Sequence, residues 1–304
     1  MAVNSRHGAH SITSQEIRFL NTLTGMSIDR ATAAVAVIGR KQFVWLRPLC
    51  MTLLLSVSLL TSVLPGNVIA ATAAGKIPRL ANGKPDFSGI WQTTSAADYD
   101  LEPHSARKGE QPGPGIVEGN VIPYLPKALE QKKKNFEARA TEDPRLKCYT
   151  LGVPRSVYYP EPFQIFQRAS DLNILHQFGH SVRTIHTNGT EHPDNASDWW
   201  LGDSRGHWEG DTLVVDVKNF NDETWLDRAG NFHSSDLHLV ERWSFLDANT
   251  IEYKATIEDP QVFSRAWNID VILYRHREKN FQLIEDYCYT LDFDDYYPPK
   301  PDRK

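Results

Sequence analysis

The chain has 304 residues, of which 33 are lysine or arginine and 38 are aspartate or glutamate, so its formal net charge at pH 7 is −5. A surface with excess negative charge repels phosphates, so nucleic acid is not an expected partner. The length that follows a predicted export segment suits one large or two small domains.

A secretory signal is predicted in the N-terminal quarter of the chain. Arg40, Lys41 and Arg47 form a basic region, and an apolar, uncharged run from Leu49 to Leu60 follows them. Because this run is shorter than the ~20 residues that a membrane-spanning helix needs, a cleaved signal is favoured over a membrane anchor. Small residues at the positions that a signal peptidase recognises predict cleavage after Ala70, with Ala73 as the alternative, which leaves no stable membrane span.

Export divides the chain into residues 1–70, an N-terminal extension with the signal, and residues 71–304, a single domain. The first part holds six basic and two acidic residues, so its removal leaves 27 basic and 36 acidic residues and a net charge of −9. The predicted location is the periplasm or the extracellular space, where disulfides form. The remaining cysteines, Cys148 and Cys288, are predicted to pair, and two separate buried thiols are the alternative.

Most predicted elements of the second part are β-strands. Residues 88–94 have the β-branched and aromatic content of a first strand, and residues 95–121, rich in Gly and Pro, predict a long loop over an opening. One helix is predicted near residues 126–140. After Pro144 apolar and polar residues alternate with period two. The strands predicted there cover residues 163–168, 172–178, 181–187, 206–208, 211–217, 237–246, 251–257, 267–275 and 281–291.

Two sequence features carry a resemblance to known proteins. The block Trp208–Val215, which reads Trp-Glu-Gly-Asp-Thr-Leu-Val-Val, is specific, and together with Trp199–Ser204 and Glu258–Pro260 it resembles an uncharacterised family of exported bacterial proteins. The resemblance to that family implies no particular reaction for this protein. Gly89–Trp91 looks like the Gly-x-Trp start of lipocalin-type barrels, which hold small apolar ligands.

The order of the elements predicts a mainly β fold, because many antiparallel strands follow one another and one helix precedes the main set. We predict an antiparallel meander that closes into a calycin-like barrel, with a helical insertion near residues 126–140. The alternative is a β-sandwich, and the likeness at Gly89–Trp91 favours the barrel.

Strand alternation makes Glu241 a candidate catalytic residue. Within residues 237–246 it lies in an apolar row that includes Trp243. Burial raises the pKa of a carboxyl group and suits it to acid–base catalysis, unless a cation pairs with it. The alternative is a structural ion pair with an arginine such as Arg183 or Arg275.

His192 and His233 are the candidates for proton transfer. His192 precedes Pro193 on a loop, where a rigid barrel can present it. Alternation places His238 on the opposite face from Glu241, and no spacing matches an established zinc motif, so no metal is predicted. The chain contains no phosphate loop and no dinucleotide fingerprint, so no cofactor is predicted.

Aromatic residues are frequent in the second part, and most of them are expected in the core. A minority would line a cavity, since the mouth of a barrel commonly holds a small molecule. The residues predicted to bind a ligand are Trp199, Trp200, Trp208, Tyr159, Arg183 and His238.

Two functions stay open at this point. One is a cofactor-free enzyme, a lyase, isomerase or hydrolase, in which His192, His233 and Glu241 move protons on a small apolar or aromatic-containing molecule. The other is a barrel that binds such a molecule without reaction. The candidate acid–base residues favour the enzyme, and the oligomeric state is left open.

Overall fold

The computed structural model describes residues 75–194, 198–285 and 288. The predicted signal and its cleavage position lie outside these residues. Within them, no helix has the length and apolar character needed to cross a membrane.

Nine strands form a closed barrel in which each strand pairs with the next along the chain. They are β1 Gly89–Thr93, β2 Phe163–Gln167, β3 Asp171–His176, β4 Val182–His186, β5 Asp203–Glu209, β6 Thr212–Lys218, β7 His238–Asp247, β8 Thr250–Glu258 and β9 Trp267–Arg275. The last strand returns to the first, with Trp91 opposite Arg275 and Thr93 opposite Leu273. The predicted barrel is therefore confirmed, and the alternative sandwich is wrong.

Two α-helices precede β2. The helix α1, Pro126–Glu142, confirms the helix predicted near residues 126–140. It begins with Pro126, at the position where a missing N–H costs nothing. A second, single-turn helix, α2, spans Arg155–Tyr158, and all of its residues are buried. The sequence pattern did not predict α2, because one turn is too short to show a helical period.

β4 and β5 depart from the predicted antiparallel pattern, because they run in the same direction. In β4 only Ile185 and His186 pair with β5, opposite Ser204 and Arg205. Parallel neighbours require a long crossover, which residues 187–202 supply. Among the described residues the first part of β4 has no partner in β5, and we call this gap in the barrel wall the β4–β5 seam.

The strand predicted over residues 281–291 is not formed in its first part, because residues 281–285 have no regular secondary structure. The remainder of that range lies largely outside the described residues. Both edges of β9 are already paired, one with β8 and the other with β1. β9 therefore offers no free edge to a tenth strand.

Alternate side chains of each strand fill the inside of the barrel. In β7 the row of Leu239, Glu241 and Trp243 points inward and is fully buried, which confirms the predicted phase of this strand. Trp243 meets the ring of Tyr253 edge to face, with centroids 4.8 Å apart. Each large apolar side chain buried in this way stabilises the fold by roughly 2 kcal/mol.

Cys148 and Cys288 form the predicted disulfide, with their Cα atoms 5.6 Å apart. The bond ties the segment after α1 to the segment after β9. Tyr149 and Thr150 follow Cys148 directly, so the disulfide also anchors the part of the chain that reaches the β4–β5 seam.

Candidate ligand-binding site

Glu241 lies inside the barrel and is completely buried. Its carboxylate accepts hydrogen bonds from the guanidinium of Arg183 at 3.0 and 2.5 Å, and the hydroxyl of Tyr253 donates to it at 2.7 Å. The Nε atom of Arg183 donates to the hydroxyl of Ser204 at 3.0 Å. The cation that pairs with this carboxylate is therefore Arg183, not Arg275.

This enclosure changes the interpretation of Glu241. Both of its oxygens are occupied by protein donors, and neither Glu241 nor Arg183 is exposed to water. A buried ion pair with all bonds made resists the loss of either partner. The geometry thus favours the structural ion pair over acid–base catalysis.

His233 is buried in the connection between β6 and β7. Its Nε2 atom lies 2.7 Å from the hydroxyl of Thr224, and its Nδ1 atom lies 2.9 Å from the carbonyl oxygen of Ser234. A carbonyl only accepts, so Nδ1 donates to it and Nε2 accepts from Thr224. Burial lowers the pKa of His233, which keeps this imidazole neutral.

His192 lies on the outer surface of the barrel in a chain of alternating carboxylates and imidazoles. Its Nδ1 atom is 2.7 Å from Asp203, its Nε2 atom is 2.7 Å from Asp216, and Nε2 of His238 is 2.8 Å from the other oxygen of Asp216. His192 thus bridges Asp203 of β5 and Asp216 of β6, and it holds the β4–β5 connection against these two strands.

Asp203 and Asp216, the carboxyl groups that contact His192 and His238, stay ionised. Burial acts to raise the pKa of Asp203, but hydrogen bonds from Arg205 and His192 outweigh it and hold the pKa below its ordinary value. In Asp216 burial is likewise outweighed by hydrogen bonds from His238 and His192, and the pKa is lowered. Both groups therefore act as fixed negative charges near neutral pH.

The three predicted catalytic residues lie in three different places. Glu241 is inside the barrel, His233 is buried in a connection, and His192 is on the outer surface. Among the described residues, no hydrogen bond or ion pair joins any two of them. They do not form one catalytic site.

A cavity of about 320 Å³ opens at the β4–β5 seam. This volume is at the lower end of the range of small-molecule sites, roughly 300 to 1,000 Å³. The residues that line it include Thr150, Arg183, His186, Trp199, Trp200 and Asp203. Three residues of the predicted ligand-binding set therefore line one cavity.

Two apolar side chains of the seam cavity are exposed. Val182 and Trp199 keep 57% and 37% of their surface accessible. Trp200 meets Tyr149 edge to face, with ring centroids 4.9 Å apart. Exposed apolar surface gathered around a cavity is typical of a binding site.

Two polar side chains of the seam cavity have unused hydrogen-bonding capacity. The hydroxyl oxygen of Thr150 is buried and has no hydrogen-bond partner among the described residues. The imidazole of His186 likewise forms no hydrogen bond or ion pair with them. His186 is only partly buried, so its imidazole is available to a ligand, whereas the hydroxyl oxygen of Thr150 is not exposed to the cavity.

A larger cavity, of about 650 Å³, lies between residues 115–118 and the outer face of β7–β9. Its polar side chains already bind one another or their neighbours, in the pairs Arg242–Glu209, Lys254–Glu252, Lys254–Asp270 and Asn268–Glu118. Because a ligand there would have to break existing pairs, the smaller seam cavity is the better candidate site.

Three residues of the predicted ligand-binding set are elsewhere. Trp208 stacks on Phe87 with centroids 6.0 Å apart, and Tyr159 packs on Phe178 at 4.9 Å. His238 belongs to the chain of carboxylates and imidazoles that begins at the seam. These side chains do not line the seam cavity.

No three His, Cys, Asp or Glu side chains in the described part of the chain are placed to hold a metal ion. Comparison with known protein families and with curated proteins finds no match. The family resemblance of Trp208–Val215 therefore stays a prediction.

The sequence pattern did not single out Thr150 or His186 as binding residues. Thr150 follows the disulfide in an irregular segment, so only the folded chain brings it to β4. His186 did carry a signal, since strand alternation places it on the face opposite the buried Ile185.

Proposed function

We propose that the protein is an exported barrel that binds a small apolar or aromatic-containing molecule at the β4–β5 seam. The observation that carries this proposal is the seam cavity, in which Trp199 and Trp200 lie beside the unpaired imidazole of His186. Aromatic walls supply binding area, and a few polar groups fix the orientation of a ligand.

Binding without reaction is the first candidate. Glu241 is closed off by Arg183, and both nitrogens of His233 and of His192 already have partners. A cofactor-free lyase or isomerase is the second candidate, and it would have to rely on the unpaired imidazole of His186 for proton transfer.

The proposed location is the periplasm or the extracellular space. The Cys148–Cys288 disulfide supports it, because structural disulfides persist in oxidising compartments. We also propose that the protein belongs with the exported bacterial family that its Trp208–Val215 block resembles.

Binding of 2-naphthol, an aromatic probe, measured by equilibrium dialysis, tests the proposed site. Trp199→Ala and Trp200→Ala are each expected to weaken binding about tenfold, because each removes part of the aromatic wall. Phe166→Ala is the control, since Phe166 is an exposed aromatic residue of β2 that does not line the cavity. Binding that survives both tryptophan changes, or that falls equally in the control, would rule the seam out.

The two candidate functions separate in a turnover assay. Small molecules that co-purify with the protein are identified by mass spectrometry and then incubated with it. Conversion by the wild type but not by His186→Gln would favour the lyase or isomerase. Retained ligand without conversion would favour the binding protein.

A further inference from the structure

The pairing of β4 with β3 determines where the backbone groups of β4 point. The N–H of His176 in β3 donates to the carbonyl oxygen of Ser181 at 2.9 Å, and this pair continues the register of the two strands. Antiparallel strands exchange hydrogen bonds at every second pair, so Arg183 bonds to β3, and Val182 and Thr184 direct their N–H and C=O groups to the opposite side. That side is the β4–β5 seam.

These backbone groups border the seam cavity and have no strand partner there. The pairing of β4 with β5 begins only at Ile185, so among the described residues the N–H and C=O of Val182 and the N–H of Thr184 bond to no strand on this side. Arg183 lines the cavity although its side chain bonds Glu241 inside the barrel, so the backbone of β4 itself borders the cavity. A free strand edge of this kind pairs readily with another extended chain.

The chain beyond Cys288 has a sequence that suits this edge. Residues 289–294, which lie outside the described residues and which we call the 289–294 segment, read Tyr-Thr-Leu-Asp-Phe-Asp. Apolar and polar side chains alternate in it, as in a strand with one face on an apolar surface. Pro298 and Pro299 follow, and prolines end a strand because they cannot donate a hydrogen bond.

The disulfide holds the start of the 289–294 segment near the seam. Cys288 is bonded to Cys148, with Cα atoms 5.6 Å apart, and Thr150, two residues after Cys148, lines the seam cavity. Two residues of extended chain span at most about 7 Å. A segment held this close meets the edge of β4 at a high effective concentration, whereas a separate peptide would have to bind from solution.

The surface beside the free edge is apolar. Tyr149 keeps 40% of its surface accessible, and Val182 and Trp199 are exposed as well. Apolar side chains on one face of the 289–294 segment would remove this surface from water, which stabilises the pairing.

We propose that the 289–294 segment adds to the free edge of β4 as a short strand and covers the seam. Its backbone bonds to the open groups of Val182 and Thr184, and its apolar side chains pack on Tyr149 and Trp199. The pairing rests on the free edge alone, whereas its effect on binding rests on the proposed function, because a ligand then has to displace the segment from the cavity.

The double variant Thr290→Pro/Leu291→Pro of the full chain tests the pairing. Only every second N–H of a strand faces its neighbour, and the two prolines remove donors on both sides. In hydrogen exchange followed by NMR, the amides of Val182 and Thr184 are expected to exchange at least about tenfold faster than in the wild type. The amide of Tyr253 in β8 keeps its rate, which shows that the barrel is intact.

Asp302→Pro/Arg303→Pro is the matched control, because it places two prolines beyond the 289–294 segment. All amides of this variant are expected to exchange at the wild-type rate. In the wild type, Val182 and Thr184 still exchange faster than the amides of β8, since a short strand on one edge opens more readily than a strand paired on both sides.

Binding of 2-naphthol tests whether the segment covers the cavity. The Thr290→Pro/Leu291→Pro variant is expected to bind this probe about tenfold more tightly than the wild type, because the ligand no longer has to displace a strand. The Asp302→Pro/Arg303→Pro variant keeps the wild-type affinity.

Unchanged exchange of Val182 and Thr184 in Thr290→Pro/Leu291→Pro would overturn the pairing. Protection of these amides that rises with the concentration of the wild type would also overturn it, because the added strand would then come from a second copy of the chain. Faster exchange in the variant, with no binding of 2-naphthol to any of the three proteins, would support the pairing and count against the proposed function instead.

Discussion

Arg183 and Glu241 bring two opposite charges into the interior of a barrel that is otherwise apolar and aromatic. Their burial is costly unless every bond is made, and Tyr253 and Ser204 complete the set. The pair crosses the barrel from β4 to β7, so it also links the strand beside the seam to the opposite part of the wall.

Glu241→Gln is expected to lower the free energy of unfolding by about 3 to 5 kcal/mol, because it leaves Arg183 buried without a counter-charge. Urea denaturation at pH 7 measures the loss. Glu209→Gln, in an exposed pair with Arg242, is the control and is expected to show no measurable loss. Equal unfolding midpoints for the wild type and Glu241→Gln would contradict a structural role for the pair.

Asp227 is another buried carboxyl group, in the connection between β6 and β7. It accepts hydrogen bonds from the backbone of Leu101 at 2.8 Å and from the side chain of Asn231 at 2.5 Å. Burial and the nearby charge of Asp100 raise the pKa of Asp227 to about 7. Between about pH 4, where the carboxyl group titrates in the unfolded state, and about pH 7, the folded state holds a proton that the unfolded state has released. The stabilisation that this group contributes therefore decreases as the pH rises through this range.

Asp227→Asn removes that titration. The unfolding free energy of the variant, relative to the wild type, is expected to rise by about 2 kcal/mol between pH 5 and pH 7.5. Burial lowers the pKa of His176 and of His233, which affects both proteins alike over this range, so the difference isolates Asp227. A difference that stays constant with pH would contradict the raised pKa.

At the scale of single residues, the sequence predicts on which face of a strand a side chain lies, but not which side chains of other strands it contacts. Alternation correctly places Glu241 inside and His238 outside, because it depends only on the geometry of one strand. The partners of His192 are Asp203 and Asp216, on two other strands, and they become neighbours only through strand register. For the same reason, the position of Thr150 beside β4 is not predictable from the sequence.

Among the elements, β4 and β5 are the neighbouring strands with the fewest paired residues. The two strands share only two residue pairs, whereas β7 and β8 pair along nearly their whole length. Trp199 and Trp200 lie on the crossover that joins them, so the connection that makes the strands parallel also brings aromatic side chains to the gap.

Hydrogen exchange of backbone amides tests whether the first part of β4 is unpaired at the β4–β5 seam. We expect the amides of Val182–Thr184 that face β5 to exchange faster than amides of Tyr253 and Ala255 in β8, which has paired strands on both sides. Binding of 2-naphthol should slow exchange at Val182–Thr184 and leave β8 unchanged. Equal protection of the two strands in the free protein would contradict an open seam.

Most strand bounds agree closely with the sequence prediction, but β5 begins three residues before the predicted segment 206–208, and two features of the topology differ. The alternation of residues 181–187 marks a strand, but alternation is the same for parallel and antiparallel neighbours. Residues 281–291 have strand-like composition, yet β9 has no free edge for them. Both differences arise from topology, which local patterns do not contain.

For the whole molecule, the choice of a barrel over a sandwich depended on the short Gly89–Trp91 likeness. The structure supplies a physical reason, because a Cβ atom at Gly89, where φ is +139°, would overlap the guanidinium of Arg275. That guanidinium lies 4.2 Å from the ring of Trp91, at the junction of β1 and β9. The glycine thus permits the contact at which the barrel closes.

The disulfide makes residues 148–288 a covalent ring that holds eight of the nine described strands. β1 precedes Cys148 and stays outside this ring, held by its pairing with β2 and β9 and by the buried Trp91. A peptide-bond cut within residues 95–121 would therefore turn the barrel into two parts, a closed loop of chain and a separate strand seated in its groove. A synthetic peptide with the β1 sequence would then compete for that groove, as in a split-protein system.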